Sequence, residues 1–206
     1  VTSERGAAVV VGRRERTKQA NRQAILDAGR RVFSSVGFDA ATIRDVVRES
    51  GLSPGTFYNY FRDKDEVFSV LIGDIMAELR PRVRAARSRA QTAEAFVRDA
   101  FAEAVEVLYA NPANFGLIER SATAFRAYIF NGKELAGIFD ELRQDMEVAT
   151  RLGTLPRFPA DLMTAAMVGA TLEVCVLGVR AGRSSSELAD FLGTLFTGAV
   201  GAFAGR

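Results

Sequence analysis

Apolar residues along this chain recur at three- and four-residue spacing almost from end to end, and no stretch keeps the two-residue alternation of a strand. Ile25, Ala28, Gly29, Val32, Phe33 and Val36 follow the i, i+3, i+4, i+7 rule that gathers them on one side of a helix. Gly37 is placed to end that helix, because glycine adopts positive φ without steric cost. The run Thr42-Ile43-Arg44-Asp45 predicts the next start: the threonine hydroxyl can cap free backbone N–H groups, and Asp45 can answer it. Ile43, Val46 and Val47 give this short helix its apolar side, and Gly51 closes it. Ser53 then caps a third helix, with Pro54 in the first turn, where its missing N–H costs nothing, and with Phe57 and Phe61 as anchors four apart. A fourth helix is predicted from Lys64 to about Leu79, with Pro81 stopping or kinking it.

Beyond Pro81 the helical spacing continues over residues 93–109, 115–130 and 133–152, with a break at Asn111-Pro112. Residues 153–159, with two prolines, read as a loop, and two last helices over 161–181 and 186–203 flank Gly182-Arg183-Ser184-Ser185. There is no short internal repeat. The fold class is therefore all-α, divided into a flexible basic N-terminal arm (1–20), a three-helix domain with a helix-turn-helix (21–64) and a larger helical domain (65–206).

Composition narrows the chemistry. The chain has 206 residues, 48% hydrophobic and 25% charged, enough to bury a core without staples. Cys175 is the only cysteine, so no disulfide can form within the chain, and there is no histidine at all. That absence removes the commonest general base and metal ligand. We expect no metal, no cofactor and no enzymatic activity, although carboxylate, lysine or tyrosine chemistry stays open. The apolar run at residues 7–11 is short for a signal peptide, and Arg13, Arg14, Arg16 and Lys18 follow it rather than precede it. Residues 162–179 are interrupted by Thr164, Thr171 and Glu173 and read as a buried helix rather than a membrane span. A cytoplasmic protein without membrane contact is expected. Charge is unevenly placed: residues 1–64 hold 12 Lys/Arg against 7 Asp/Glu, residues 65–206 hold 15 against 18. A basic head on an acidic body suggests that one end meets a polyanion.

The stretch TIRDVVRESGLSPGTFYNYFRDK, residues 42–64, carries the most information. Two short helices joined through Gly51-Leu52 match the helix-turn-helix. The second would present Thr56, Tyr58, Asn59 and Tyr60 between buried Phe57 and Phe61. These hydroxyl and amide groups suit phosphates and base edges, and an α-helix fits the major groove; packing within the domain is the alternative for both tyrosines. Over residues 25–68 the sequence resembles the N-terminal domain of TetR-type regulators. The Gly37-Phe38 turn, Thr42, Gly51, Ser53, Gly55-Thr56, Tyr58, Phe61 and Lys64 all stand at that family's spacing. Val47 departs from the family's usual alanine, and Tyr60 stands where histidine is common.

The resemblance implies a recognition helix over residues 53–60, with Tyr58, Tyr60 and Lys64 on phosphates and Gly55 and Thr56 at the groove. Arg44 would face the DNA side, and basic residues 13–22 would track the backbone, enter the minor groove or make no specific contact. With Thr42, Ser53 and Asn59, these form the candidate DNA-binding set. The resemblance further implies a homodimer through the last two helices, rich in Ala165, Ala166, Gly169, Ala170, Gly178, Gly193, Gly198, Ala199 and Gly201, and an effector site among the middle helices. The candidate effector residues are Phe101, Tyr109, Phe115, Phe125, Arg126, Tyr128, Thr171 and Glu173, and their aromatic character suits a hydrophobic or amphipathic compound. Filling the core is the alternative for each aromatic, Phe96, Phe130 and Phe139 among them. The expected function is a ligand-responsive repressor that binds double-stranded DNA at a palindromic operator. A DNA-bound structural or cell-division factor, and more remotely a helical enzyme with an apolar substrate, are the alternatives.

Overall fold

The computed structural model describes residues 2–131 and 136–204, and among these residues all regular structure is helical. The order is α1 (Thr2–Val36), α2 (Ile43–Ser50), α3 (Pro54–Tyr58), α4 (Lys64–Arg89), α5 (Ala93–Ala110), α6 (Pro112–Arg120), α7 (Ala122–Asn131), α8 (Ala136–Arg151), α9 (Ala160–Arg180) and α10 (Ser185–Gly201). The start of the helix predicted over 133–152 lies outside the described residues.

Local chemistry sets most of these boundaries. Thr42 and Asp45 form a complete capping box, with the Asp45 N–H on the Thr42 hydroxyl at 3.2 Å and the Thr42 N–H on the Asp45 carboxylate at 3.0 Å. Asp63 caps α4 through the Glu66 N–H at 2.8 Å, and Ser184 with Glu187 repeats the box at α10. The hydrogen bonds to Thr42, Arg62 and the Ser184 N–H hold the Asp45, Asp63 and Glu187 carboxyls below their ordinary range. Carboxyls held low in the fold stabilise it above their unfolded pKa, and this contribution is lost as pH falls through the folded value. The three caps therefore weaken together on acidification.

Three elements differ from the sequence expectation. Residues 2–20 of the arm expected to be flexible over 1–20 are helical and form the first part of α1. Pro81 does not stop α4, which runs eight residues further: proline there removes one N–H bond and is exposed, so tertiary packing of both flanks outweighs the local cost. The single segment expected over 115–130 is two helices, parted at Ser121, whose backbone leaves helical geometry at φ −115° and ψ 27°.

Helices α1 to α3 and the start of α4 share one core. Phe33 meets Phe38 and Phe68 at ring-centroid distances of 5.6 and 5.8 Å, and Val46, Phe57 and Phe61 close it from α2 and α3. Val47, larger than the usual alanine, is half-buried against this core. The far half of α4 packs with α5 and α8, and α5 packs on α10, where Phe101 and Phe196 stack at 5.3 Å. Helix α9 is long and apolar enough, by length and composition, to cross a membrane; here it packs against α5, α8 and α10.

A second seam joins the two parts. The Ser34 hydroxyl donates to the Ala113 carbonyl at 2.9 Å, the Phe38 N–H to the Ser121 hydroxyl at 3.0 Å, and Arg30 to buried Asn114. Gly37 sits in this seam at φ +82°, where an added Cβ would lie 2.7 Å from the Arg120 carbonyl oxygen. Gly51 has a similar φ, +69°, with open space around it. Gly51→Ala is therefore expected to cost only the backbone penalty, about 1–2 kcal/mol, and Gly37→Ala clearly more. Urea denaturation of both variants tests this, and equal losses would show that the α1–α6 seam yields freely.

Candidate functional site

Two regions concentrate the sequence-predicted residues. At the first, α3 begins on a local pair: the Ser53 hydroxyl accepts the Thr56 N–H at 3.1 Å and lies 2.8 Å from the Thr56 hydroxyl. Phe57 is fully buried and holds the helix down, while Tyr58 stands 58% exposed with its ring edge-on to Phe57. Gly55 and Asn59 are exposed as well, and so are Thr42 and Arg44 at the start of α2. Tyr60 behaves differently: it is half-buried, and its hydroxyl accepts a bond from the Asn21 amide of α1 at 3.4 Å. Most arginines of this region are engaged, Arg31 with Glu49, Arg48 with Asp45 and Arg62 with Asp63. Arg44 is exposed and makes no hydrogen bond or ion pair among the described residues.

Lys64 occupies a place that sequence alone did not disclose. Its ammonium donates to the carbonyls of Phe38 and Ala41 at 2.8 and 2.9 Å, reaches that of Asp39 at 3.4 Å, and sits 4.5 Å from the Phe38 ring centroid. All three of its N–H donors are thus directed at the loop that leads into α2, and in this arrangement none is left for a phosphate. It ties the start of α4 to the entry of the helix-turn-helix.

The second region is an apolar cavity of about 140 Å³ between α4, α5, α7, α8 and α9. Of the candidate effector residues, Phe101, Phe125 and Thr171 line it. The other five stand outside the lining. Tyr109 and Phe115 pack on each other at 5.4 Å, and Tyr109 donates to the Cys175 carbonyl at 3.4 Å. Burial pushes the Tyr109 phenol and the Cys175 thiol each up to about 12, so both stay protonated and inert at neutral pH. The Tyr128 hydroxyl meets Ser69 of α4, and Arg126 pairs with Glu173 where both are substantially exposed. Sequence reasoning missed the α4 wall of the cavity: Met76 and Leu79 lie within the helix expected to about Leu79 but carry no chemical signal, and Arg80, Val83 and Arg87 lie beyond that expected end. The continued three- and four-residue spacing through Leu79, Val83, Ala86 and Arg87 was the available signal. The aromatic Phe130 side chain lies outside the described residues. Among the described residues no cluster of acidic and cysteine side chains could hold a metal ion.

Small compact α2 and α3, joined by a glycine turn and capped at both starts, define a helix-turn-helix DNA-binding domain set on a larger helical body. Residues 25–71 match the family model of bacterial regulatory proteins, tetR family, and this part of the chain is a DNA-binding domain of that type. Its fold is similar to that of the fatty acid degradation regulator FadR from Bacillus halodurans, with a TM-score of 0.71 at 19% identity over 86% of this chain and 95% of that one. It is also similar to FadR from Bacillus subtilis in complex with stearoyl-CoA (TM-score 0.66, 18% identity, 82% and 96% covered). A bacterial regulatory protein of the tetR family from Rhodococcus RHA1 gives 0.66 at 16% identity, with 87% and 96% covered.

Two substitutions separate the roles at this site. A Cβ on Gly55 would meet only the Ser53 hydroxyl oxygen, at 4.0 Å. Gly55→Ala should therefore fold normally and gain up to about 1 kcal/mol of stability. Lys64→Met strips three carbonyls of their donor and should lose about 1–3 kcal/mol. Thermal melts of both variants check this, and a destabilised Gly55→Ala would contradict the open space seen around it.

Proposed function

We propose that this regulator is a homodimeric repressor that reads a palindromic operator with α3 and is released by a hydrophobic or amphipathic effector held in the interhelical cavity. The DNA surface comprises Tyr58, Asn59, Thr56 and Gly55 of α3, Ser53 at its cap, Thr42 and the unpaired Arg44 at the start of α2, and the basic residues of α1. Lys64 and Tyr60 act here mainly by position, since their polar atoms already have partners within the chain. The observation that carries the reading is the surplus of exposed, polar-tipped residues on a helix anchored by a fully buried phenylalanine. Gly55, which nothing inside the chain requires, fits close approach of a backbone to DNA.

Dimerisation is supported by the outer side of α9 and α10. Leu162, Leu177, Phe191 and Leu195 are between 48% and 67% exposed there, half of all the large apolar side chains exposed among the described residues. Water-facing apolar groups collected on two adjacent helices suit burial against a second copy. Gly169 and Gly198 have open space around them, unlike Gly178, which is pressed by Leu188 of its own chain. A paired helix-turn-helix reads two half-sites about one helical turn apart.

The effector reading rests on the cavity, which is lined chiefly by Leu, Val, Met, Ala and Phe. The fatty acid regulators of similar fold make an acyl compound the first candidate.

These assignments are tested by selecting an operator from random DNA and titrating the full chain against it. Affinity should fall steeply with salt, as expected for several phosphate contacts. Arg44→Ala should weaken binding to all sequences alike, Thr56→Ala should alter base preference, and Gly55→Ala should weaken binding without loss of stability. Indifference to salt and to all three substitutions would remove α3 from the DNA surface. Sedimentation should give a dimer that Leu177→Glu with Phe191→Glu converts to monomer; a monomeric parent chain would overturn the dimer. A fitting effector should raise the melting temperature and lower operator affinity by about 1–3 kcal/mol of coupling.

A further inference from the structure

The charged members of the cavity lining are Arg80 and Arg87 of α4 and Glu141 of α8. Charge at the edge of an otherwise apolar cavity is costly unless it is paired. Arg80 meets both carboxylate oxygens of Glu141, and Arg87 meets Asp145 through Nη2 at 2.7 Å and Nε at 2.9 Å. These two ion pairs bridge α4 and α8. The Arg87 side chain is only 8% exposed, and its Nη1 has no hydrogen-bond partner among the described residues. Arg84 adds a third positive charge that acts on Glu141, so three arginines attend two carboxylates. The edge of the cavity therefore carries more arginines than carboxylates, with the Arg87 side chain largely covered by the fold.

Size adds a second constraint. A cavity of about 140 Å³ is close to the roughly 150 Å³ that accommodates benzene. A longer chain or fused ring exceeds this volume, and the two ion pairs are the polar fastening between α4 and α8 beside it.

We propose that the α4–α8 mouth is an anion seat that doubles as a clasp: the head group of an anionic amphiphile takes Arg87 and Arg80 from Asp145 and Glu141, and so frees α4. This rests on the reading of the cavity as the effector site and deepens it, since it assigns the effector a carboxylate or phosphate head as well as an apolar body. The exchange is balanced in charge, because one anion replaces another on a guanidinium that stays charged throughout. The displaced carboxylates are partly exposed and turn to water. Because α4 carries Lys64 at its other end, loosening residues 80–89 reaches the loop that precedes the helix-turn-helix along one continuous helix.

The test compares decanoate, decanoyl-coenzyme A and decanol on the full chain by calorimetry, with hydrogen exchange followed in residues 76–89. Decanoate or decanoyl-coenzyme A should bind at least about tenfold tighter than decanol, the expectation for hydrogen bonds to a charged group. Exchange in 76–89 should accelerate with the anionic ligand and not with decanol. Preference for decanoate would mark a free carboxylate as the natural head, and preference for decanoyl-coenzyme A a phosphate-bearing one. Arg87→Met should collapse the anion-to-decanol ratio to about unity, whereas Glu141→Gln, which removes a competing carboxylate, should raise anion affinity severalfold. Should Arg87→Met fail to fold, Glu141→Gln and Arg80→Met read the same ratio. Equal binding of all three compounds, or a ratio unmoved by these substitutions, overturns the anion seat while leaving an apolar effector site intact. Binding of none overturns the anion seat and the effector site together.

Discussion

Helix α4 runs through the core of both parts of the molecule, and this shared burial is the constraint on which the rest depends. Val67, Phe68 and Leu71 lie against Gly29 and Phe33 of α1, Met76 lines the cavity of the larger bundle, and all belong to one continuous core. A helix of 26 residues spans about 39 Å at 1.5 Å per residue. Its two ends are thus far apart, yet no flexible linker lies between them. Any displacement at the cavity end must be absorbed by bending of α4, by slippage against α1 and α5, or by movement of the helix-turn-helix.

The two polar fastenings on α4 differ in kind. At its start, a single ammonium satisfies carbonyls of the loop before α2, next to the aromatic cluster of Phe33, Phe38 and Phe68. Removing that donor would leave acceptors unmatched in a half-buried place. At its end, the fastening consists of ion pairs to α8, which an outside anion can replace like for like. One end is built to hold and the other can exchange partners. The α1–α6 seam, with its hydroxyl and amide bonds to Ala113, Asn114 and Ser121, gives the DNA-binding domain a second attachment that does not pass through α4.

Apolar surface follows the same division of labour. Inside the bundle it is covered by neighbouring helices; on the outer side of α9 and α10 it is left facing water at Leu162, Leu177, Phe191 and Leu195. The composition that makes α9 hydrophobic enough for a membrane suits the dimer proposed above, in which the helix would be covered on two sides.

Local chemistry made the helix-turn-helix readable in the sequence: Thr42-x-x-Asp45, Gly51, Ser53-Pro54 and the Phe57/Phe61 spacing each act within a few residues, and each cap stands where it was expected. The loops at Gly37 and 153–159 were legible for the same reason. Interactions distant in sequence decided the rest. Pro81 signals a helix end, but packing on both flanks carries α4 across it. Lys64 resembles a phosphate contact in a linear motif, and only the fold brings the Phe38 and Ala41 carbonyls to its ammonium. The aromatic residues of the middle helices are alike in sequence; the structure separates Phe101 and Phe125, which line the cavity, from Tyr109 and Phe115, which pack on each other. Nothing in the local pattern singles out Arg80 and Arg87, because their ion-pair partners Glu141 and Asp145 stand more than fifty positions away. Caps and turns are local and can be read from the chain; burial and charge pairing are properties of the folded whole.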